Sequence, residues 1–313
     1  MNELERMLIN PESGQELCLD NQLLVDDKGN VIAKCVDGVW SFLDVPDQFY
    51  EGAYLNRTRY IPSKDNWIGR IPFFFVANGY TWEVCKNFRA DSTLLELGCA
   101  GGIDFLAKRY NMIGLDLSIA SLKSMGGYAL KLQATADRIP LRPNSLDGVI
   151  SSYFWEHIDG ASKDRILQSL YRCLRPGGRL VFLYDIETRN GLIRKARDAD
   201  SEFYKSSFLD RDGHIGYESV EQNDRHFASN GFRVLKHIGM ERTWLQSPSV
   251  YTKLSDFPGV SGVVGKIGSA LSRGRIRNLL NLSIVRFTDT VIGKLWPVEC
   301  SRIMMTVAER VAQ

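Results

Sequence analysis

Two acids set twenty residues apart frame a glycine turn. Glu96 lies in LLELGCAGGIDFL (94–106), between an apolar run and the glycines Gly98, Gly101 and Gly102, and Asp116 closes the apolar run NMIGLD. Glycines placed after a strand let a ligand approach the backbone, and the helix that follows offers unpaired N–H groups. A dinucleotide turn needs the spacing G-x-G-x-x-G for its pyrophosphate, and G-C-A-G-G lacks the second glycine. A carboxylate two residues before Gly98 repels a pyrophosphate, yet it suits a cationic ammonium, held directly or through water. Asp116 stands where an acid accepts hydrogen bonds from two ribose hydroxyls. An adenosine ligand with an amino-acid tail and no phosphate answers to both acids. S-adenosylmethionine is that ligand.

Such a turn has to be carried by a sheet. Strand-like and helix-like runs alternate through TLLELG, GIDFLAKRY, NMIGLDLS, SIASLKSM, ALKLQA, SLDGVISSYF, ASKDRILQSLYRCL and GRLVFLYD, the pattern of an α/β parallel sheet with helices on both faces. The clearest helix is 162–174, with Ser162 as its cap, Ile166, Leu167, Leu170 and Leu174 on one face, and RPGG ending it. NGFRVLKHIGM (230–240) and SRIMMTVAER (301–310) read as the last two strands, which makes 245–298 an insertion. Residues 1–45 read as a small β module, 46–90 as an aromatic-rich helical cap or linker, and 91–313 as the main domain.

Composition narrows the class. Among 313 residues, 39 Lys and Arg against 37 Asp and Glu leave a net charge of +2, which neither demands nor forbids nucleic acid. With no apolar run of the roughly 18–20 residues a membrane span needs and no secretion signal in MNELERMLIN, the expected location is cytoplasmic. Six cysteines without a C-x-x-C pair predict reduced thiols and no metal site.

The ordered set ELGCAGG, GLDLS, ATADRIPLRPNSLDGVISSYFWEHI, LRPGGRLVF and HIGYESVEQNDRHFASNGFRVL resembles the class I S-adenosylmethionine-dependent methyltransferases of the type 11 kind, over residues 91–240 and the closing strand. The resemblance implies a Rossmann-like, doubly wound, mostly parallel seven-stranded sheet. It implies that Glu96 and the backbone of Gly98, Cys99 and Gly101 line the methionine part of the cofactor, that Asp116 holds the ribose and that Leu117 packs on adenine. Relatives commonly read G-D-A-x-x-L-P in a third motif. Here the run is Ala134 to Pro140, so Thr135 stands in the acid's place, Thr135 or Asp137 replaces its contact, and the Ala136 N–H meets the ring. Ser151 and Ser152 would border the sulfonium. Residues 8–43 resemble a zinc-ribbon-like module that has lost its paired cysteines, with only Cys35 near the second pair.

An acceptor hydroxyl needs a base, and of four histidines His157 in WEHI and His214 in DGHIGYES are the candidates, with Tyr153 orienting the acceptor. His226 and His237 read as structural, and Asp147 and Glu156 as groups that order turns. No Asn/Asp-Pro-Pro-Tyr/Phe motif follows the fourth strand, where SSYF stands, and no cysteine sits as a nucleophile. These absences point to oxygen on a small-molecule, glycan or lipid-linked acceptor. Between 260 and 297 six cations and one acid are spaced by Leu, Ile and Val, so the insertion reads either as a helical lid or as a peripheral contact with anionic lipid. An RNA base methyltransferase and a non-catalytic cofactor-binding scaffold are the alternative functions.

Overall fold

The computed structural model describes residues 3–43 and 76–311. Most of the expected 46–90 cap lies outside the described residues.

Four short strands, β1 (Cys18–Asp20), β2 (Leu23–Val25), β3 (Val31–Val36) and β4 (Val39–Ser41), run antiparallel through tight turns. Asp26 shapes the turn before β3 by accepting the N–H groups of Lys28 and Asn30. Helix α1 (Val76–Asn87) leads into β5 (Thr93–Leu97), after which α2 (Asp104–Ala107), β6 (Asn111–Asp116), α3 (Ile119–Ser124), β7 (Leu130–Gln133), β8 (Leu146–Ser152), α4 (Gly160–Cys173) and β9 (Leu174–Asp185) follow. Next come α5 (Gly191–Ala199), a helical stretch over 201–210, α6 (Val220–Ser229), β10 (Phe232–Met240), the three helices α7 (Pro248–Leu254), α8 (Gly259–Leu271) and α9 (Arg275–Val291), and finally β11 (Ile303–Arg310).

All the strands join one sheet, in the order β1-β2-β3-β4-β7-β6-β5-β8-β9-β11-β10. Along β4-β7-β6-β5-β8-β9 every neighbouring pair is parallel, while β11 runs antiparallel between β9 and β10. The chain order reverses between β5 and β8. In sheets of this type ligands bind at that reversal, beyond the carboxyl ends of the strands.

Side-chain alternation divides the core in two. Leu95, Leu97, Ile113, Leu115, Val149 and Phe182 point to the face covered by α4 and α6. Leu94, Met112, Ile150, Val181 and Leu183 point to the face covered by α1, α2 and α3. Strands buried on both sides are apolar throughout, as parallel sheets require.

The seven strands expected of the main domain are present, in the order β7-β6-β5-β8-β9-β11-β10, and the four N-terminal strands extend them to eleven among the described residues, because β4 pairs with β7 (Trp40 opposite Leu132) and Leu24, Ala33 and Trp40 enter the same core as Leu97. The N-terminal segment is thus an extension of the sheet, and its Cys18 and Cys35 are free thiols on separate strands. Helix α4 starts at Gly160 and not at Ser162: Asp159 is the cap, accepting the Ser162 N–H at 3.1 Å, and the Ser162 hydroxyl donates to the same carboxylate. The RPGG stretch does not form a separate turn but is absorbed into β9, where the pairing with β8 shifts register and Gly177 adopts a positive φ.

The long connections outside the sheet build a small core of their own. Leu192, Ile193, Tyr204, Phe208, Val250, Leu254 and Phe257 gather residues 191–210 and the start of the 245–298 region into one unit. No motif in 191–210 predicts this association.

Candidate active site

The turn after β5 is held from β6. Leu97 is followed by Gly98 (φ 59°), Ala100 (φ 40°) and Gly102 (φ 71°), so the backbone passes three times through the left-handed region. Gly98 N–H donates to the Leu115 carbonyl at 3.0 Å, and Ala100 N–H donates to Asp116 Oδ2 at 2.9 Å. Asp116 Oδ1 accepts the Ser118 N–H at 2.9 Å, where Ser118 caps α3. One carboxylate therefore sets both loops. A side chain at Gly98 would bring its Cβ within 2.6 Å of the Phe154 ring, so this close approach requires glycine.

Beyond these strand ends lies a cavity of about 420 Å³. Its walls are Gly98, Ala100, Leu115, Asp116 and Leu117 from the first two strands, Ala134 to Asp137 after β7, Tyr153, Phe154, His157 and Ile158 after β8, and Asp212, Gly213 and Ile215 from the loop before α6. A second cavity of about 310 Å³ shares Tyr153 and Asp212 with the first and is lined by Asp185, Phe208, His214, Tyr217, Ser249, Val250, Lys253 and Arg302. The two are neighbours with opposite characters. The first is mainly apolar, with Asp116, Asp137 and Asp212 as the acids in its wall; the second is crowded with charge. Arg302 donates to Asp185 at 3.0 Å and to Glu241 at 2.7 Å, and Lys253 pairs with Asp212.

Of the residues expected at the site, Gly98, Asp116, Leu117, Thr135, Ala136, Asp137, Tyr153 and His157 line the first cavity, and His214 lines the second. Glu96, Cys99, Gly101 and Ser151 line neither. Glu96 alternates with Leu95 and Leu97, so its side chain enters the face of Met112 and Met125 and is 2% exposed. There the Tyr128 hydroxyl donates to it while accepting the Ile103 N–H at 3.0 Å. Burial pushes the Glu96 carboxyl up to about 8, against the opposing effect of the Tyr128 bond. It holds a proton near neutral pH. Cys99 turns its thiol inward against Met125, and the Ser151 hydroxyl donates to the Leu97 carbonyl, tying β8 to β5.

The turn after β8 is strained in a useful place. Tyr153 has φ 54°, with its N–H donating to the Leu183 carbonyl at 2.7 Å, and the chain then carries His157 to the first cavity. Burial of its hydroxyl, with the charge of Asp185 next, raises the Tyr153 pKa above the ordinary phenol range; the side chain as a whole is 41% exposed, so water tempers the effect. Tyr153 is accordingly a hydrogen-bond donor here, and not a base. Burial also lowers the His214 pKa, leaving a neutral imidazole, and burial followed by the nearby charge of Asp185 raises Glu156 well above the carboxylate range. His226 is held by Asp164 and Glu218, and His237 by Asp224 and Thr306. Sequence pattern alone does not assign Glu156, Asp185, Lys253, Asp212 or Arg302 to the site; for Asp185 the available signal is its place at the end of GRLVFLYD, the same strand position that Asp116 holds in NMIGLD.

Residues 95–182, which carry the turn, Asp116 and the strand after α4, match the family described as "Methyltransferase domain". This segment is a methyltransferase domain. S-adenosylmethionine is the cofactor such a domain indicates. The domain is similar to the ubiquinone/menaquinone biosynthesis C-methyltransferase UbiE of Haemophilus ducreyi, 32% identical over 116 residues that cover 32% of this chain and 43% of that one. It is similar also to the same enzyme of Escherichia coli strain K12 / DH10B, 31% identical over 134 residues that cover 37% of this chain and 52% of that one. The chain thus spans about half the length of the curated relatives it matches. Solved structures of related outline include geranyl diphosphate C-methyltransferase from Streptomyces coelicolor A3(2), with 13% identity, TM-score 0.49 and coverage of 75% of this chain and 78% of that one. Another is the YcgJ protein from Bacillus subtilis, with 13% identity, TM-score 0.47 and coverage of 76% and 100%.

Proposed function

We propose that the chain is an S-adenosylmethionine-dependent methyltransferase acting at oxygen on a polar acceptor that it meets at an anionic lipid surface. The observation that carries the catalytic part is the pair of cavities joined through Tyr153 and Asp212 at the strand reversal. The first cavity fits the cofactor in kind: Asp116 accepts from ribose hydroxyls, Leu117 and Ile166 give adenine apolar walls, and Thr135 to Asp137 supply polar groups at its rim. When bound, S-adenosylmethionine supplies a methyl group already activated by its sulfonium. What remains for the protein is to orient the acceptor and exclude water, the part of Tyr153 at the shared wall and of Phe154 beside it in the first cavity. Asp185, Lys253, Arg302 and His214 favour an acceptor bearing hydroxyl or charged groups over a bare hydrocarbon, which supports oxygen as the atom methylated. The named relatives are C-methyltransferases, and the charged second cavity is the feature on which this reading differs from them.

The lipid part rests on α8 and α9. Helix α8 buries Ser261, Gly262, Gly265 and Gly268 and exposes Val260, Val263, Ile267 and Leu271, at 51–67%. Ser261 donates to the Leu192 carbonyl at 3.0 Å, and a Cβ at Gly268 would collide with the Tyr251 ring. Helix α9 exposes Ile276, Leu280, Ile284, Phe287 and Val291, and Leu295 beyond it is 81% exposed. A helix on a water-facing surface buries its large apolar face; these two present it outward. Lys266, Arg273, Arg275, Arg277 and Lys294 are exposed on the same segment, matching an anionic surface. Among the described residues no helix is long and apolar enough to cross a membrane, so the contact proposed is interfacial.

Calorimetry with S-adenosylhomocysteine, followed by radiolabelled methyl transfer to fractionated cell extract, tests the catalytic reading. Heat of binding and label in a polar fraction are expected; no heat of binding ends it. Co-sedimentation with phosphatidylglycerol vesicles, against phosphatidylcholine alone, tests the surface: enrichment on the anionic vesicles is expected, and equal recovery with both refutes the lipid contact.

A further inference from the structure

Glu156, His157 and His214 each offer one ligand atom, with all three atoms within 4.8 Å of one another; His157 lines the first cavity, His214 lines the second, and Glu156 is buried beside them. Glu156 is 1% exposed, and its Oε2 has no hydrogen-bond partner. Nδ1 of His214 is likewise buried and without a partner. A buried polar atom left unsatisfied destabilises the fold, and a charged one does so more strongly. A cation satisfies a carboxylate and an imidazole lone pair at once. His157 is already prepared for this. Its Nδ1 lies 2.9 Å from the Gly213 carbonyl, a contact that can form only if Nδ1 carries the hydrogen, which leaves Nε2 with its lone pair free. The two imidazoles stand edge to face with centroids 5.3 Å apart.

We propose that Glu156, His157 and His214 bind one divalent transition-metal ion of the zinc class. Two imidazoles and a carboxylate suit such an ion, whereas magnesium and calcium take sets made of oxygen. Ligand atoms around a tetrahedral ion stand about 3.4 Å apart for bonds of about 2.1 Å, so a spacing within 4.8 Å closes through modest rotation of two rings that are only half-buried. Because His157 lines the first cavity and His214 the second, the ion's open positions face the space between them. An acceptor oxygen bound there releases its proton to water at a lower pH than it does free in solution. That last consequence rests on the methyltransferase reading; the metal site does not.

The test is titration of the chelator-treated full chain with Zn²⁺ alone by calorimetry, and with Co²⁺ by visible absorption. One ion per chain is expected, with a cobalt spectrum of nitrogen and oxygen ligands. His157→Asn and His214→Asn should each weaken zinc binding at least about tenfold, as should Glu156→Gln, whereas His237→Asn, at a histidine already held by Asp224 and Thr306, leaves it unchanged. Thermal melts confirm that each variant folds, and the two histidine variants carry the test should Glu156→Gln not fold. Absence of stoichiometric binding, or binding that survives in the His157→Asn/His214→Asn double variant, overturns the proposal. Calorimetry with S-adenosylhomocysteine on the same samples separates the readings: cofactor binding without metal binding removes the metal site alone, and metal binding without cofactor binding removes the methyltransferase reading alone.

Discussion

Strand β5 and helix α8 distribute size in opposite ways. On β5, Leu94, Leu95 and Leu97 fill the interior, and glycine is kept for the loop that borders the first cavity. On α8 the glycines lie inside, where they let the helix settle against Tyr251 and Leu254, and the branched aliphatics face out. Both segments are rich in apolar residues, and that richness does not tell them apart. The position of the small residues does. Where glycine is buried and Leu is exposed, the large apolar side chains do not serve the packing of the helix among the described residues.

The sharpest way to break that contrast is a matched pair of truncations. Leu97→Ala, at a fully buried position, should cost about 2–5 kcal/mol of stability, while Leu280→Ala, at a position 57% exposed, should stay within about 0.5 kcal/mol. Chemical denaturation of both variants reads the difference, and equal losses would mean that α9 is packed in solution. Next in size, Gly268→Leu forces a side chain into the Tyr251 ring and should cost about 1–3 kcal/mol, with a melt that also shows loosening of the unit that α7 and α8 form with residues 191–210. A silent Gly268→Leu would show that α8 is not seated by its glycine face. In the other region Asp116→Asn keeps the shape and removes the charge that takes the Ala100 and Ser118 N–H groups. Affinity for S-adenosylhomocysteine should fall about tenfold, the difference between a charged and a neutral acceptor; calorimetry showing an unchanged constant would displace Asp116 from the ribose.

The smallest effects are those of pH. Glu96 in the sheet and Asp289 in the insertion are both carboxyls raised by burial, to about 8 and about 6. A raised carboxyl keeps a proton that the unfolded chain releases, so its contribution to stability is full below the unfolded value and is lost as pH rises toward the folded one. For Asp289, which accepts the N–H groups of Glu241 and Arg242, the window runs from about 4 to about 6; for Glu96 it extends to about 8. Asp289→Asn should flatten the first part of the wild-type curve and Glu96→Gln the part above pH 6, as followed by melting temperature against pH. A curve unchanged by either substitution removes that group from the linkage.

Much of the sheet is legible in the sequence because its signals are local. Apolar runs ending in Asp116 or Asp185 and a glycine turn after the first strand of the main domain can be read within ten residues of where they act, whereas the cap read at Ser162 belongs to Asp159. Glu96 shows the limit. Its spacing from Gly98 points to a ligand, but the face it takes is decided by alternation with Leu95 and Leu97, and its partner Tyr128 belongs to SMGGYAL, which carries no motif. Glu156 reads in sequence as a turn-ordering acid for the same reason: its neighbour His214 arrives from a distant loop. In the insertion the cations and aliphatics are visible, whereas the inside-out packing depends on which neighbours receive Gly262, Gly265 and Gly268.

The pairing of β4 with β7 makes the first forty residues indispensable in a sense that their modest size conceals. Cutting them away would bare backbone groups at Leu132 and Gln133 and uncover the apolar surface that Leu24 and Trp40 shield. A naked rim of that sort is a template for another chain, so the shortened protein should clump through strand-to-strand association instead of persisting as a trimmed catalyst.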